Sequence, residues 1–294
     1  MTGAFPRGKR AWGELPAGTH GFDADTVLVS QGETGFGSSP RGRASQGLRL
    51  RGWAPEHWFV ARGPNGGFLA ALATRAAEQV AGRPLRSLAL HFTAAPAVGP
   101  LDVAVSMERE GRSFTLVSVR IEQEGRPMTL GLATLGELAA DGPGWARGGL
   151  PAARPVEEIE PLSPEAAGVP AFMRNYDMRP ALHEDDGHVS GAWLRTREPR
   201  LLDGPLLAAM TDAWAPVAFT ALQRAVLAPT LDLTIHIRRP LPPHGLAPED
   251  FVLGRFSSRL ALGGTWEEDG ELWSPSGELL AQSRQLALIR EPAA

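Results

Sequence analysis

The sequence of 294 residues predicts an α+β fold made of two tandem copies of one unit, a long helix followed by an antiparallel sheet. Two observations lead to this prediction. In the first half, apolar residues at helical spacing are followed by runs of strand length, and these runs are separated by residues typical of turns. Short segments of that half then recur in the same order in the second half, which indicates an internal duplication.

The helix of the first half is predicted between Asn65, a favourable N-cap, and Gly82, a typical helix stop. Its apolar residues recur at helical spacing: Phe68, Leu69, Leu72, Ala76 and Val80. The runs that follow have strand length and are separated by Gly-containing turn sequences; they span 88–92, 101–107, 114–121 and 128–135.

The repeat is visible at matched positions of the two halves. Segment 69–72 (LAAL) matches segment 207–210 (LAAM) at an offset of 138 residues. Segment 88–92 (LALHF) matches segment 233–237 (LTIHI) at an offset of 145 residues. The offset grows along the chain, as expected when the second copy has longer loops.

These patterns divide the chain into four parts. Residues 1–20 form a Gly-, Pro- and Arg-containing leader that we expect to be flexible, and residues 21–136 form the first unit. Residues 137–170 are rich in Pro and Gly and predict a linker, and residues 171–294 form the second unit. Within the first unit, residues 33–47 have the composition of a loop.

The composition excludes several classes of protein. The chain has no cysteine, which excludes disulfides, thiolate zinc sites, Fe–S clusters and a cysteine nucleophile. Lys9 is the only lysine, so a phosphate-binding P-loop is absent. The net charge of −4 argues against a nucleic-acid partner. Neither a signal peptide nor a transmembrane run is evident, so we expect a cytoplasmic protein without a membrane partner.

A family resemblance covers roughly residues 22–136 and 172–290. It rests on five short segments: Arg62 to Ala70 (RGPNGGFLA), Leu88 to Phe92, Met210-Thr211-Asp212, Pro229-Thr230-Leu231-Asp232, and Gln285 in the last strand. With the duplicated helix and sheet, these segments resemble the type II acyl-CoA thioesterase family. That family has the double-hotdog fold, in which each sheet wraps around its own helix.

The resemblance implies a function and a site. It implies hydrolysis of acyl-CoA to free acid and CoA, by a water activated between Asp212, Thr230 and Gln285. No metal and no cofactor other than the CoA of the substrate are implied. The expected partners are an acyl-CoA or acyl-carrier substrate and further copies of the chain. Acyl transfer or another reaction on a CoA- or carrier-bound thioester, and binding without catalysis, are the alternatives.

The residues around Asp212 suit a general base. Pro216 should end the helix that begins before Asp212, and a carboxylate near a helix C-terminus is disfavoured by the helix dipole. Met210, Trp214 and Val217 add apolar surroundings, so we expect a raised pKa for Asp212. The alternative is a solvent-facing aspartate with no catalytic role.

Two rival residues remain open. Alternation places Asp232 on the same face as Thr230, and Gln282 is a polar neighbour of Gln285 in the last strand. The polar segment 183–188, with two histidines and three acidic residues, can be interpreted as a metal cluster, but a solvated loop is the better interpretation.

The repeat predicts one catalytic set per chain. Its offsets place Thr74 opposite Asp212, Leu85 opposite Thr230 and Ala133 opposite Gln285, so the first unit lacks all three groups. We expect the first unit to contribute substrate-binding residues instead, namely Asn65, Gly66 and Gly67. Backbone N–H groups at Gly66–Gly67, or at Gly204 in the second unit, are candidates to bind the oxyanion.

Overall fold

The computed structural model describes residues 9–10, 13–14, 21–38, 44–138, 143–166, 168–224 and 226–291. Four α-helices lie in these ranges: α1 (Gly21–Asp25), α2 (Gly66–Ala81), α3 (Gly204–Met210) and α4 (Val217–Leu222). The same ranges also contain three short 3-10 helices, at Glu56–Trp58, Val156–Glu158 and Ala171–Asn175.

One antiparallel sheet runs through both halves of the described chain. The first half contributes β1 (Val29–Ser38), β2 (Ala44–Ala54), β3 (Leu85–Phe92), β4 (Gly99–Glu110), β5 (Thr115–Gln123) and β6 (Arg126–Leu135). The second half contributes β7 (Tyr176–His183), β8 (Val189–Thr196), β9 (Thr230–Ile237), β10 (Val252–Ser257), β11 (Thr265–Trp273) and β12 (Leu279–Leu288). The strand order is β1-β2-β4-β5-β6-β3-β9-β12-β11-β10-β8-β7, and Ala261–Leu262 also pairs with β11.

The strand order is symmetric about the pair β3–β9, which joins the two halves. There the buried residues Leu88 and Leu90 pair with Ile235 and Leu233, and one apolar core extends through both halves. The two units are therefore not independent domains connected only by a linker, because they share a sheet and a core.

Helices α2 and α3 pack against each other in opposite directions. The start of α2 at Gly67 lies against Ala209 near the end of α3, while Glu78 near the end of α2 lies against Gly204 at the start of α3. Asn65 caps α2 by accepting the Phe68 N–H at 2.9 Å. As predicted, α2 ends at Gly82, which adopts the left-handed conformation that glycine permits, with φ of 60°.

The second copy of the helix is shorter than the sequence analysis predicted. It breaks after Met210 and resumes as α4 at Val217, directly after Pro216. Proline lacks an N–H and clashes with the preceding turn, so the helix cannot continue through it. The break produces the irregular segment that contains Asp212.

The repeat is also present in the strand pairing. In the first half, Leu85 pairs with Leu135 and Leu88 pairs with Ala133, with a register shift after Leu85. In the second half, Thr230 pairs with Ala287 and Leu233 pairs with Gln285, with a register shift after Thr230. The same bulge at the same place in both halves supports the duplication, and with it the equivalence of Leu85 to Thr230 and of Ala133 to Gln285.

Other predictions fare differently. Residues 33–38 and 44–47 belong to β1 and β2, so the prediction of a loop was wrong there, and 39–43 lie outside the described residues. Of the leader, only Lys9–Arg10 and Gly13–Glu14 are described, and they pair with each other.

Part of the predicted linker packs on the sheet, because Ile159 joins a second apolar cluster with Trp193 and Trp273. No helix in the described part of the chain is long and apolar enough to span a membrane.

The shared core predicts that shortening a buried side chain at the β3–β9 junction destabilises the whole chain. Ile235 is fully buried, so Ile235→Ala should lower the free energy of unfolding by about 2–5 kcal/mol through lost burial and the cavity left behind. Urea unfolding measures this difference. Leu286→Ala, at a side chain that is 37% exposed, is the control and should cost clearly less. Equal losses would contradict the burial at the junction.

Candidate active site

Asp212 lies in the turn after α3, and its carboxylate faces the start of α2. Its Oδ2 atom accepts the Gly67 backbone N–H at 2.9 Å and the Asn65 Nδ2 at 3.0 Å. The same Asn65 Nδ2 donates to the Asp212 carbonyl oxygen at 2.6 Å. Among the described residues, Oδ1 of Asp212 has no hydrogen-bond partner, so one carboxylate oxygen is held and the other is free.

This contact requires glycine at two successive positions. A Cβ atom at Gly66 would lie 2.9 Å from Asp212 Oδ2 and 3.1 Å from the Phe92 ring. A Cβ atom at Gly67 would lie 2.3 Å from the Ala209 carbonyl oxygen, which no real Cβ contact permits. The glycine pair therefore lets both the carboxylate and the end of α3 approach the N-terminus of α2.

Burial raises the pKa of Asp212 to about 6, while the backbone N–H groups of Gly67 and Gly66 act in the opposite direction. The raised pKa agrees with the sequence analysis. The N-terminus of α2 lowers the pKa, however, and so offsets part of the increase expected from the C-terminus of α3. The side chain is surrounded by protein but keeps part of its surface accessible. It can therefore both hold a raised pKa and reach a reactant.

Thr230 and Asp232 do not share a face, and this prediction was wrong. The bulge after Thr230 inserts Leu231 as an extra residue, so Thr230 pairs with the buried Ala287. Asp232 pairs with His91 and Leu286, both exposed, and lies on the outer face of the sheet. The bulge therefore turns Thr230 inward and leaves the rival carboxylate Asp232 outside the site.

Thr230 and Gln285 are in direct contact. The Thr230 hydroxyl donates to Gln285 Oε1 at 2.8 Å, and the Gln285 side chain is buried. The rival Gln282 instead pairs with His236 on the outer face and accepts from Arg238 Nε at 2.9 Å. Of the two glutamines, only Gln285 contacts Thr230.

Glu268 is a buried residue of this site that the sequence analysis missed. Its Oε1 accepts from Gln285 Nε2 at 2.7 Å, and its Oε2 accepts from the Val217 N–H at 2.8 Å. Burial, aided by the negative charges of Asp212 and Glu267, raises its pKa to about 8, although the hydrogen bonds from Val217 and Gln285 act in the opposite direction. Strand alternation with Trp266 and Leu272 would have placed it on the inner face, but it stands in the acidic run Glu267-Glu268-Asp269, which is typical of an exposed strand.

The three predicted catalytic residues thus fall into two groups. Asn65, Gly66, Gly67 and Asp212 form the first, at the junction of α2 and α3. Thr230, Gln285 and Glu268 form the second, on β9, β12 and β11. Within the described residues no hydrogen bond joins Asp212 to Thr230 or Gln285, and the electrostatic interaction of Asp212 with Glu268 connects the groups.

Tyr176 adds a buried hydroxyl on which the charge of Asp212 acts. Its ring packs edge-on against Trp58 with centroids 5.8 Å apart, and its hydroxyl has no hydrogen-bond partner among the described residues. Burial and the charge of Asp212 both raise the pKa of Tyr176, so it is a neutral hydroxyl at ordinary pH.

Other candidates lie elsewhere. Gly204 lies next to Glu78, at the far end of the antiparallel helix pair, so it cannot serve an oxyanion near Asp212. The polar segment 183–188 forms the turn between β7 and β8, where His188 N–H donates to Asp186 Oδ1 at 3.0 Å. No group of three or more potential ligands that could hold a metal occurs in the described part of the chain.

Two family models match this chain. The model of the acyl-CoA thioesterase N-terminal domain matches residues 54–136, and that of the acyl-CoA thioesterase C-terminal domain matches residues 150–289. The chain belongs to the acyl-CoA thioesterase family. The match in both halves agrees with the resemblance found in the sequence.

Individual relatives of this thioesterase support the fold. An uncharacterized protein of Mycobacterium tuberculosis is 29% identical, over 80% of this chain and 88% of that protein. A hot dog fold protein of unknown function from Alicyclobacillus acidocaldarius has a TM-score of 0.77 at 23% identity, covering 94% of this chain and 100% of that one. The acyl-CoA thioesterase II TesB2 of Mycobacterium marinum has a TM-score of 0.67 at 23% identity, covering 83% and 94%. The double-hotdog fold is confirmed.

The contact between Gly66 and Asp212 in this thioesterase gives a testable prediction. Gly66→Ala places a methyl group against Asp212 Oδ2, so the carboxylate must move and turnover should fall about 10- to 100-fold. Steady-state kinetics measure the loss, with circular dichroism to check the fold. Gly149→Ala is the control, because a Cβ atom there meets nothing within 4 Å. Unchanged turnover in Gly66→Ala would contradict a role for this contact.

Proposed function

We propose that this thioesterase hydrolyses acyl-CoA thioesters with a water molecule that Asp212 activates as a general base. The observation that carries the proposal is the state of the Asp212 carboxylate. One oxygen is fixed by Gly67 and Asn65, the other has no partner in the described chain, and burial raises the pKa of the group to about 6. A base with a pKa near the working pH is suited to proton transfer.

The reaction proceeds by direct attack of water on the thioester carbonyl carbon. Oδ1 of Asp212 takes the proton from the attacking water as the new C–O bond forms. The tetrahedral intermediate then breaks its C–S bond, and the CoA thiolate leaves and takes the proton from Asp212, which restores the carboxylate. No covalent acyl-enzyme is needed, in agreement with a chain that contains no cysteine.

Thr230 and Gln285 orient the reactants. The Thr230 hydroxyl contacts Gln285 at 2.8 Å, and because a hydroxyl has one O–H donor and two lone pairs, Thr230 can hold the attacking water or donate to the developing oxyanion. Thr230 is the accessible member of this pair and Gln285 is buried behind it. We assign contact with the reacting atoms to Thr230 and support of its orientation to Gln285.

The substrate carrier and the assembly stay predictions. We propose CoA, and not a carrier protein, as the carrier of the acyl group, and we propose a substrate-binding role for Asn65, Gly66 and Gly67. The contacts of Asn65 and Gly67 with Asp212 support a positioning role for both. The expected homo-oligomer and the cytoplasmic location are likewise predictions.

Removal of the base tests the proposal directly. Asp212→Asn should lower turnover of acyl-CoA esters about 100- to 10,000-fold, because a carboxamide cannot accept the proton. A thiol-reactive dye measures CoA release with no background from the protein, since the chain has no cysteine. Asp232→Asn, which changes the rival carboxylate on the outer face, is the control and should keep full activity. Full activity of Asp212→Asn would exclude the assignment.

The acid side of the pH profile is a second test. Asp212 acts as a base only when ionised, and its pKa is raised to about 6. The value of kcat/KM should therefore fall as the pH decreases through about 6, whereas an ordinary aspartate would keep activity down to about pH 4. A pH series on a short and a long acyl-CoA measures it. Activity that persists at pH 5 would argue against Asp212 as the base.

A further inference from the structure

We propose that Glu268 is a positioning residue that sets which way the Gln285 amide faces, and thereby whether the Thr230 hydroxyl donates or accepts at the site. The inference rests on the proposed function and assigns to it a residue that does not touch the substrate. Glu268 is buried, and its hydrogen bonds go to the Val217 N–H and Gln285 Nε2.

The hydrogen-bond chain has two possible directions. When Glu268 is ionised, both of its oxygens accept, so Gln285 directs its NH₂ to Glu268 and its oxygen to Thr230. The Thr230 hydroxyl hydrogen is then engaged by Gln285. When Glu268 is a neutral acid, its O–H can donate to Gln285 only if the amide turns by 180°, which leaves its heavy atoms in nearly the same places.

The second direction releases a donor into the site. With the amide turned, Gln285 Nε2 donates to Thr230 Oγ1, so the Thr230 hydroxyl hydrogen can point toward the reactants. A donor at that place can stabilise the negative oxygen of the tetrahedral intermediate. Val217 N–H keeps its acceptor in both states, because the other carboxyl oxygen of Glu268 does not change its role.

The surroundings of Glu268 favour the neutral acid. Two charged groups act on it, Asp212 from the turn after α3 and Glu267 beside it on β11, and both are negative. With burial as the largest cause, they raise the pKa of Glu268 to about 8. The neutral form, with Thr230 as donor, is therefore the form at neutral pH, and it is lost as the pH rises above about 8.

The first half of the chain shows that the fold does not need this carboxyl. Glu268 pairs with Gln285 across β11 and β12, and the equivalent pair in the first half is Val117 with Ala133. Val117 is fully buried. The apolar set Leu85, Ala133 and Val117 therefore occupies the same positions as Thr230, Gln285 and Glu268.

Two substitutions separate the possibilities. Glu268→Gln mimics the neutral acid, because its amide can accept from Val217 and donate to Gln285. We expect near-normal kcat at pH 7 and loss of the decline in kcat/KM above about pH 8. Glu268→Val copies the residue of the first half and should lower kcat about 10- to 100-fold with little change in KM. Glu271→Gln is the control and should keep the normal profile, because Glu271 pairs with the outer-face Gln282 and is not one of the two charged groups that act on Glu268.

A double-mutant cycle tests whether Glu268 acts through Gln285. If it does, Glu268→Val should cost little further kcat in a Gln285→Leu background, whereas independent roles would add. Additive losses, or a Glu268→Gln profile identical to that of the unchanged protein, would overturn the Glu268 proposal alone. Absence of turnover in the unchanged protein on every acyl-CoA would overturn the proposed function and this proposal with it.

Stability measured against pH reports on Glu268 independently of activity. Because folding raises the pKa of Glu268 from 4.5 to about 8, its contribution to stability is complete below 4.5 and is lost as the pH rises through about 8. In an Asp212→Asn background, the urea midpoint of the Glu268→Gln variant should therefore rise relative to its parent between about pH 5 and about pH 9. A constant difference would show that Glu268 does not titrate as proposed.

Discussion

The packing of the Asp212 carboxylate against the first turn of α2 is the interaction on which the rest of the site depends. It joins the two halves of the chain, because Gly67 and Asn65 come from one copy and Asp212 from the other. The helix N-terminus offers unpaired N–H donors, which a buried carboxylate needs in order to remain ionisable. Because α3 ends at Met210, Asp212 lies in an irregular turn, and from that turn its carboxylate faces the first turn of α2.

The sequence predicted the features that depend on local chemistry. Caps, helical spacing and turn residues identified α2 with both of its ends, and the repeat identified the duplication. The sequence analysis did not predict the side of the sheet on which Thr230 lies, because a bulge after a proline has no clear signature in the sequence. Strict alternation placed Thr230 with Asp232, and one inserted residue was enough to separate them.

Glu268 was missed for a different physical reason. A single carboxylate within an acidic run has the composition of a solvated strand, and only its partners reveal that it is buried. Those partners are distant in the sequence, since Val217 is 51 residues away and Gln285 is 17 residues away. Buried polar networks of this kind are specified by tertiary contacts, and one sequence does not display them.

The duplication also explains why one end of the helix pair carries the site and the other does not. At the far end, Glu78 faces the start of α3 much as Asp212 faces the start of α2, so a carboxylate is present at both ends. Glu78, however, accepts the Leu85 N–H at 2.9 Å, and Leu85 takes the position of Thr230. With Leu85, Ala133 and Val117 there is no hydroxyl, amide or acid to continue the chain of hydrogen bonds. The polar relay beside the carboxylate, and not the carboxylate itself, therefore distinguishes the two ends.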